Sequence, residues 1–267
     1  MRIAIVADSH LAARAPECVA NWRAAARAVA DLRVDLTIHL GDISLDGQNR
    51  PEDLAYAAGL LREWPTTIRV VPGNHDMGDG SGEMPLDLDR LAACEATFGA
   101  GRWAVRANGW ELLGINAQLL GSGTPEEDDQ WRWLDERAQA PEVEGRILFL
   151  HRPLARPSAA ERHRAGRYVA EEAGHRLLTG LLRGSLRAVV SGHVHQALDR
   201  TVAGVRHVWM PSCAFVLPDA MQPRIGEKTV GIGLLDLGAS PARFELLFPP
   251  GMQAHELTTL GFWAAQP

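Results

Sequence analysis

RIAIVADSH, residues 2–10, is a short apolar run rich in Ile and Val that stops at Asp8 and is followed by His10. A run of this length, Arg2 to Ala7, reads as a buried strand. The same punctuation returns twice. VDLTIHLGD, residues 34–42, gives a strand from Val34 to Leu40 closed by Gly41-Asp42. TIRVVPGNHD, residues 67–76, gives one from Thr67 to Val71 closed by Pro72-Gly73-Asn74-His75-Asp76. Between them lie two stretches with helical period, Pro16 to Leu32 and Pro51 to Trp64, the second opening on a proline suited to a first helical turn. Strand ends roughly 30 residues apart are what a βαβ unit requires. The first third is therefore a parallel α/β layer. Its polar residues gather at the C-terminal strand ends, where open α/β sheets bind ligands.

Working outward, Trp103–Ala107 and Glu111–Asn116 form a hairpin across Asn108-Gly109, and Glu126–Gln139 is a helix. Arg146–Leu150 is a strand ended by His151. Tyr168–Leu182 reads as a helix, and Leu186–Val190 as a strand ended by Ser191-Gly192-His193-Val194-His195. Ala197–Val202 and Val205–Met210 flank Ala203-Gly204 as a second hairpin, and Thr229–Leu237 and Ala242–Phe248 are two further strands. Segments 78–85 and 121–129 are Gly-rich or acidic loops. A run of β structure after an alternating start predicts an α/β fold in four layers, α/β/β/α, with two stacked mixed sheets flanked by helices. One domain is expected over residues 1–267, its β-rich part at about 197–250.

Composition narrows the partners. With 46% hydrophobic and 22% charged residues the chain has ample core. A formal net charge of −6 argues against holding long nucleic acid, which calls for a basic surface. Cys18, Cys94 and Cys213 form no CxxC pair and read as reduced, buried thiols. No stretch approaches the ~20 apolar residues of a membrane span, and the N-terminal apolar run is too short for a signal segment. The expected setting is the cytoplasm, without membrane. Phe244, Phe248 and Phe262 in the apolar tail are candidates for a homodimer surface.

Five strand ends carry candidate ligands: Asp8 with His10, Asp42, Asn74 with His75 and Asp76, His151, and His193 with His195. All are carboxylate, imidazole or amide donors, a set that suits Mn, Fe, Zn or Co rather than a thiolate-seeking metal. Extended backbone past a strand would aim Asp8 and His10 the same way, and likewise His193 and His195. Glycines precede Asp42, Asn74 and His193 and allow sharp turns. Alone, each piece is an ordinary strand-end turn; together and in order they are a site.

The order DxH, GD, GNHD, H, GHxH, over residues 8 to 195, resembles the calcineurin-like metallophosphoesterase superfamily. The tract Gly41-Asp42-Ile43-Ser44-Leu45-Asp46-Gly47 and the stretch Met210-Pro211-Ser212 are most similar to its bacterial class III branch, the cyclic-nucleotide and glycerophosphodiester phosphodiesterases. The resemblance implies two divalent transition-metal ions (Mn, Fe or Zn), one held by Asp8, His10 and His195, the other by Asn74, His151 and His193, with Asp42 between them. It implies His75 as the catalytic histidine, oriented by Asp76, with His75 and Asn74 binding substrate. It also implies hydrolysis of a small phosphodiester by a hydroxide the metals share. Two carboxylates against two divalent ions leave such a site cationic and attractive to phosphate. Arg152 departs from the branch, which often has a second histidine there.

Other residues are not recruited. His39, inside the second strand, reads as a core histidine or one that supports a ligand. His163, His175, His207 and His255 read as surface histidines, His207 with the best chance of lying near the pocket. Trp131 and Trp133 read as packing, and Arg152, Arg156, Arg162 and Arg164 as a solvated loop. Asn116 ends a strand on the ligand side. The rival readings are a phosphomonoesterase, a nuclease of the same superfamily, and a metal-free interaction scaffold; the last should have lost ligands, and all seven are here.

Overall fold

The computed structural model describes residues 1–79, 86–139, 143–154, 166–181, 184–239 and 242–264. In chain order the elements are β1 (Arg2–Val6), α1 (Pro16–Leu32), β2 (Leu36–His39), α2 (Pro51–Arg62), β3 (Ile68–Val70), α3 (Asn74–Met77), α4 (Leu88–Phe98), β4 (Trp103–Ala107) and β5 (Trp110–Gly114). There follow α5 (Pro125–Ala138), β6 (Gly145–Leu150), α6 (Glu171–His175), β7 (Leu186–Ser191), β8 (Leu198–Val202), β9 (Val205–Trp209), β10 (Phe215–Val216), β11 (Ile232–Asp236), β12 (Arg243–Leu247), β13 (His255–Glu256) and α7 (Gly261–Ala264).

Two mixed sheets form, ordered β12-β11-β1-β2-β3 and β4-β5-β6-β7-β9-β8. In the first, β1, β2 and β3 are parallel and β11 joins β1 antiparallel, so the C-terminal part of the chain completes the sheet the N-terminus begins. In the second, β5, β6, β7 and β9 are parallel between antiparallel edges.

The period-2 pleat separates two interiors. Ile3, Ile5, Leu36 and Ile38 meet Leu112, Ile147, Phe149 and Val190 between the sheets. Ala4 and Val6 face outward under Trp22 and Val29 of α1 and Leu60 of α2. On the other sheet, Leu113, Leu148 and Val189 lie under Trp131 and Leu134 of α5. Strands covered on both faces read as unbroken apolar runs, which is why β1, β2 and β6 stood out in the sequence. The result is the four-layer α/β/β/α sandwich expected.

Differences from the sequence reading are local. Helix α4 was not expected: Asp87 caps it by accepting from the Asp89 and Arg90 amides at 2.7 and 3.4 Å, and Leu91 and Cys94 pack on Met77 and Leu119. The helix expected over Tyr168–Leu182 is five α-helical residues followed by a wider turn at Arg176–Leu181; Leu182 lies outside the described residues, as do His163, Arg156, Arg162, Arg164 and most of segment 78–85. Of the phenylalanines considered for a dimer surface, Phe262 is buried against Phe215 and Phe244 packs on the inter-sheet core, which leaves Phe248 at 54% exposure. The three cysteines are free and buried. No helix among the described residues is long and apolar enough to cross a membrane.

Candidate metal centre

The C-terminal ends of β1, β2, β3, β6 and β7 converge on one point. Among the described residues, three groups of side chains there could hold a metal ion, with ligand atoms within 4.8 Å of one another: Asp8, His10 and His195; Asp42, His151 and His193; and, between them, His10, Asp42 and His75. His10 Nε2 lies 3.2 Å from His195 Nε2 and 3.9 Å from Asp42 Oδ2. His195 Nε2 lies 3.6 Å from Asp8 Oδ1. On the other side, His151 Nε2 lies 3.3 Å from Asp42 Oδ2, 3.1 Å from Asn74 Oδ1 and 3.0 Å from His193 Nδ1. All seven residues read as ligands are thus brought together, and Asp42 belongs to both sides.

Backbone geometry departs from the expectation of extended chain. Asp8, His10, Asp42, His193 and His195 all have φ between 44 and 71°. Only eight non-glycine residues among those described have positive φ, so five of the eight sit at this site. The left-handed region costs an L-residue roughly 1 kcal/mol or more and persists only where the surroundings over-determine it. Here they do. The Asp8 and His10 amides donate to the Gly41 and Asp42 carbonyls at 3.0 Å each, and the His193 amide donates to both Asp8 carboxylate oxygens at 2.9 and 3.0 Å. Space is equally tight: a Cβ on Gly192 would lie 2.7 Å from Asp8 Oδ2, and one on Gly73 would overlap the Asp42 carboxylate.

Imidazoles are oriented from behind. His151 donates Nδ1–H to the Leu40 carbonyl at 2.7 Å, and His195 donates Nδ1–H to the Phe215 carbonyl at 2.9 Å. Each therefore turns an Nε2 lone pair into the site, the arrangement a metal-ligating histidine needs. Ser212 Oγ donates to the Asp8 carbonyl at 2.8 Å and steadies that loop.

Asn74, His75 and Asp76 lie on one helical turn, α3, not on extended chain. The His75 amide donates to Asp42 Oδ1 at 2.9 Å and its ring Nδ1 to the Leu45 carbonyl at 2.8 Å. Asp76 does not hold that ring. Its carboxylate accepts from the amides of Gly73, Ile43 and Ser44 and from Ser44 Oγ at 2.7–3.2 Å, so it fixes the loop that carries Asp42. The orienting partner expected of Asp76 is instead the Leu45 carbonyl. A short polar turn after a strand left its helical geometry unread.

Charges in the site conflict. Burial drives the Asp8 carboxyl well above the usual carboxylate range, although His151 opposes it. Burial would raise Asp42 as well, but His151, His75 and His10 hold it well below. Burial disfavours a proton on His151, yet Asp42 and Asp8 overcome it and push the imidazole up to about 9. Burial lowers His10 and His193, and takes His195 down to about 4. His10 Nδ1 is buried without a hydrogen-bond partner. One proton can serve each facing nitrogen pair, but His151 Nε2 faces His193 Nδ1, Asn74 Oδ1 and Asp42 Oδ2 at 3.0–3.3 Å and carries at most one proton for the three. Two buried carboxylates among converging imidazoles are a donor set that fits divalent cations.

Around this centre, Arg152 is 6% exposed and donates to the Ala117 carbonyl at 3.1 Å, so it is not part of a solvated loop. Asn116 accepts from the Gln118 amide and is enclosed. His207 is buried in mid-strand, beside Val189 of β7, and His39 is buried with its ring on Ser9.

The calcineurin-like phosphoesterase family matches residues 1–197 of this chain. A probable cyclic nucleotide phosphodiesterase of Psychrobacter sp. (strain PRwf-1) is 26% identical over 189 residues, which cover 69% of this chain and 54% of that protein. The match therefore spans about half of that relative's length. Among solved structures, a dimetal phosphatase from Danio rerio superimposes with a TM-score of 0.62 at 16% identity, over 88% of this chain and 92% of that one. GAP50, the anchor in the inner membrane complex of Plasmodium, gives 0.60 at 14% identity over 88% and 80%. The purple acid phosphatase PPD1 of yellow lupin seeds gives 0.57 at 13% identity over 96% and 52%. At these identities the structures attest the shared fold.

Proposed function

The chain belongs to the calcineurin-like phosphoesterase family, and from that premise we propose that it hydrolyses a small phosphodiester, such as a cyclic nucleotide or a glycerophosphodiester, with two divalent transition-metal ions. The observation that carries the reading is the pair of ligand groups that share Asp42. Asp8, His10 and His195 would hold one ion, Asn74, His151 and His193 the other. When bound, the ions supply Lewis acidity toward phosphate oxygens and lower the pKa of water.

The protein's own groups do the rest. Burial of the ligands excludes bulk water, and the strained turns keep the donors from relaxing away. His75 and His193 are the half-buried members of the cluster, and of the two His75 is not among the seven proposed ligands. With Nδ1–H spent on Leu45, its Nε2 is the atom that takes or gives a proton at the substrate. Asn74, next to it, offers an amide to a phosphate oxygen. Diesters are favoured because the curated relative is named a probable cyclic nucleotide phosphodiesterase and because a net charge of −6 suits small substrates over long nucleic acid. The whole chain acts as one domain, with β11 and β12 closing the sheet that starts at β1, and three free thiols fit a reducing compartment such as the cytoplasm.

The test is the protein loaded with Mn and assayed on bis(p-nitrophenyl) phosphate, cyclic nucleotides, glycerophosphodiesters and p-nitrophenyl phosphate. Turnover of a diester is expected to exceed that of the monoester. Activity confined to monoesters over a full metal panel would overturn the diester assignment. Metal content that saturates at one ion or none would overturn the dinuclear one.

A further inference from the structure

β2 presents two polar side chains to the helix-facing side of its sheet. Thr37 is satisfied by Trp64 Nε1 and Thr66 Oγ1. His39 is satisfied differently, and its bonds run straight to the ligand loops. The Gly41 amide donates to His39 Nδ1 at 3.2 Å, so Nδ1 is the acceptor and the proton is on Nε2. Nε2–H then donates to Ser9 Oγ at 2.8 Å, and Ser9 Oγ–H donates to the Ile43 carbonyl at 3.1 Å. Every proton in this chain has one direction. Ser9 stands between Asp8 and His10; Gly41 and Ile43 stand on either side of Asp42. All three ligands have positive φ, and Gly41 has φ +90°.

We propose that His39 is a positioning residue for the metal centre, its ring tying the loop of Asp8 and His10 to the turn of Asp42. This rests on the dinuclear reading above. The backbone pairs already link the loops edge to edge, through the Asp8, His10 and Leu11 amides and the Gly41, Asp42 and Ile43 carbonyls. Such a ladder alone permits rotation about its length. Ser9 and His39 add a tether from beneath, on the face opposite the ligands, and set the twist at which Asp8, His10 and Asp42 meet. The imidazole suits the task because burial holds its pKa down to about 3, so it stays a neutral donor–acceptor beside a charged site. Trp22 closes the other side, with ring centroids 5.7 Å apart, and keeps water from the relay.

A histidine that merely fills the core predicts a different outcome from one that sets ligand geometry. The variants are His39→Leu, His39→Gln, whose amide NH₂ can reach Ser9, and Ser9→Ala, alone and combined with His39→Leu. Mn affinity is measured by calorimetry, kcat and KM at saturating Mn, and thermal midpoint without metal. His39→Leu and Ser9→Ala are each expected to weaken Mn binding by about 10- to 100-fold, the usual loss when a group that orients a ligand is removed. kcat should fall with KM within about two-fold, His39→Gln should recover most of the affinity, and the double variant should be no worse than the worse single one. A His39→Leu protein that melts early but binds Mn like wild type overturns the inference. So do a Gln variant no better than Leu, and additive losses in the double variant. If His39→Leu does not fold, Ser9→Ala decides, and wild-type Mn affinity there overturns it. Wild-type protein that takes up no Mn overturns the dinuclear reading and this inference together.

Discussion

The two ends of β6 are both buried and both charged, yet they pose opposite problems. At its start, Arg146 donates Nε–H to Glu111 Oε2 at 2.7 Å, one amino group to Ser185 Oγ at 2.7 Å and the other to the Arg137 carbonyl at 2.9 Å. The remaining Glu111 oxygen accepts from Arg106 at 3.1 Å. Both oxygens of Glu111 and all three nitrogens of Arg146 are answered there. Five residues on, His151 ends the strand among carboxylates and imidazoles whose lone pairs face one another. A buried charge cluster whose members answer one another is structure; one whose donor atoms converge on a shared carboxylate, on strained backbone, has the form of a functional site.

Asp42→Asn should break the contrast most severely. The carboxylate belongs to two of the three ligand groups together with His10, His75, His151 and His193, so removing its charge weakens both ions at once. Elemental analysis should fall from about two metals per chain toward none, with activity down by roughly 10³-fold or more. Full metal content in this variant would overturn the proposal that two ions share Asp42.

Next in size is His75. Its ring lies 4.8 Å from that of His10, in reach of the ligand cluster. His75→Ala is expected to keep near-normal metal and fold while kcat drops by on the order of 10²–10⁴. His151→Ala should lose metal together with activity. The reverse pattern would make His75 the ligand. If His75 protonates the leaving oxygen, the deficit should shrink for substrates with very good leaving groups.

The other end of β6 should fail in another currency. Arg146→Met leaves Glu111 buried with half its compensation and is expected to cost about 3–5 kcal/mol of stability, read by urea unfolding. Folded Arg146→Met protein should still bind two metals and turn over at close to the wild-type rate. A fall in kcat without a fall in stability would mean that the two ends of the strand are coupled.

How much of this was legible in the sequence follows from the same contrast. Strands β1, β2 and β6 announced themselves because burial on both faces leaves unbroken apolar runs, and α1 was bounded by Pro16 and the polar residues after Leu32. The seven proposed ligands were legible as residue types at strand ends. Their backbone was not: Asp and His carry no requirement for positive φ, so the left-handed turns at Asp8, His10, Asp42, His193 and His195 appear only when the loops are packed together. The groups that aim the imidazoles were also hidden, because the carbonyls of Leu40, Leu45 and Phe215 look like those of any residue. Asp76 was assigned to the neighbouring ring when its four hydrogen bonds go elsewhere, and α4 was missed because its buried stripe is only Leu91 and Cys94. His39 was read as a core histidine or one that supports a ligand, and its hydrogen-bond partner Ser9 could be named only from three dimensions.

His207 supplies the smallest effect and a control for burial without a site. It lies in the middle of β9, with no part in either end of β6, and burial together with Arg200 lowers its pKa from 6.5 to about 4. Below pH 6.5 the unfolded chain takes up a proton on this residue that the folded protein refuses until about pH 4. The unfolded state therefore binds more protons in that window, and stability is lost as pH falls through it. The loss should be on the order of 1–3 kcal/mol, an upper range for a shift of this size. His207→Gln, with an amide that does not titrate, should remove it. Urea midpoints of both proteins, metal-free, compared between pH 7 and pH 4.5, isolate the term, because the histidines of the metal centre titrate in both and cancel. Equal losses in the two proteins would mean that His207 is protonated in the fold as readily as in the unfolded chain.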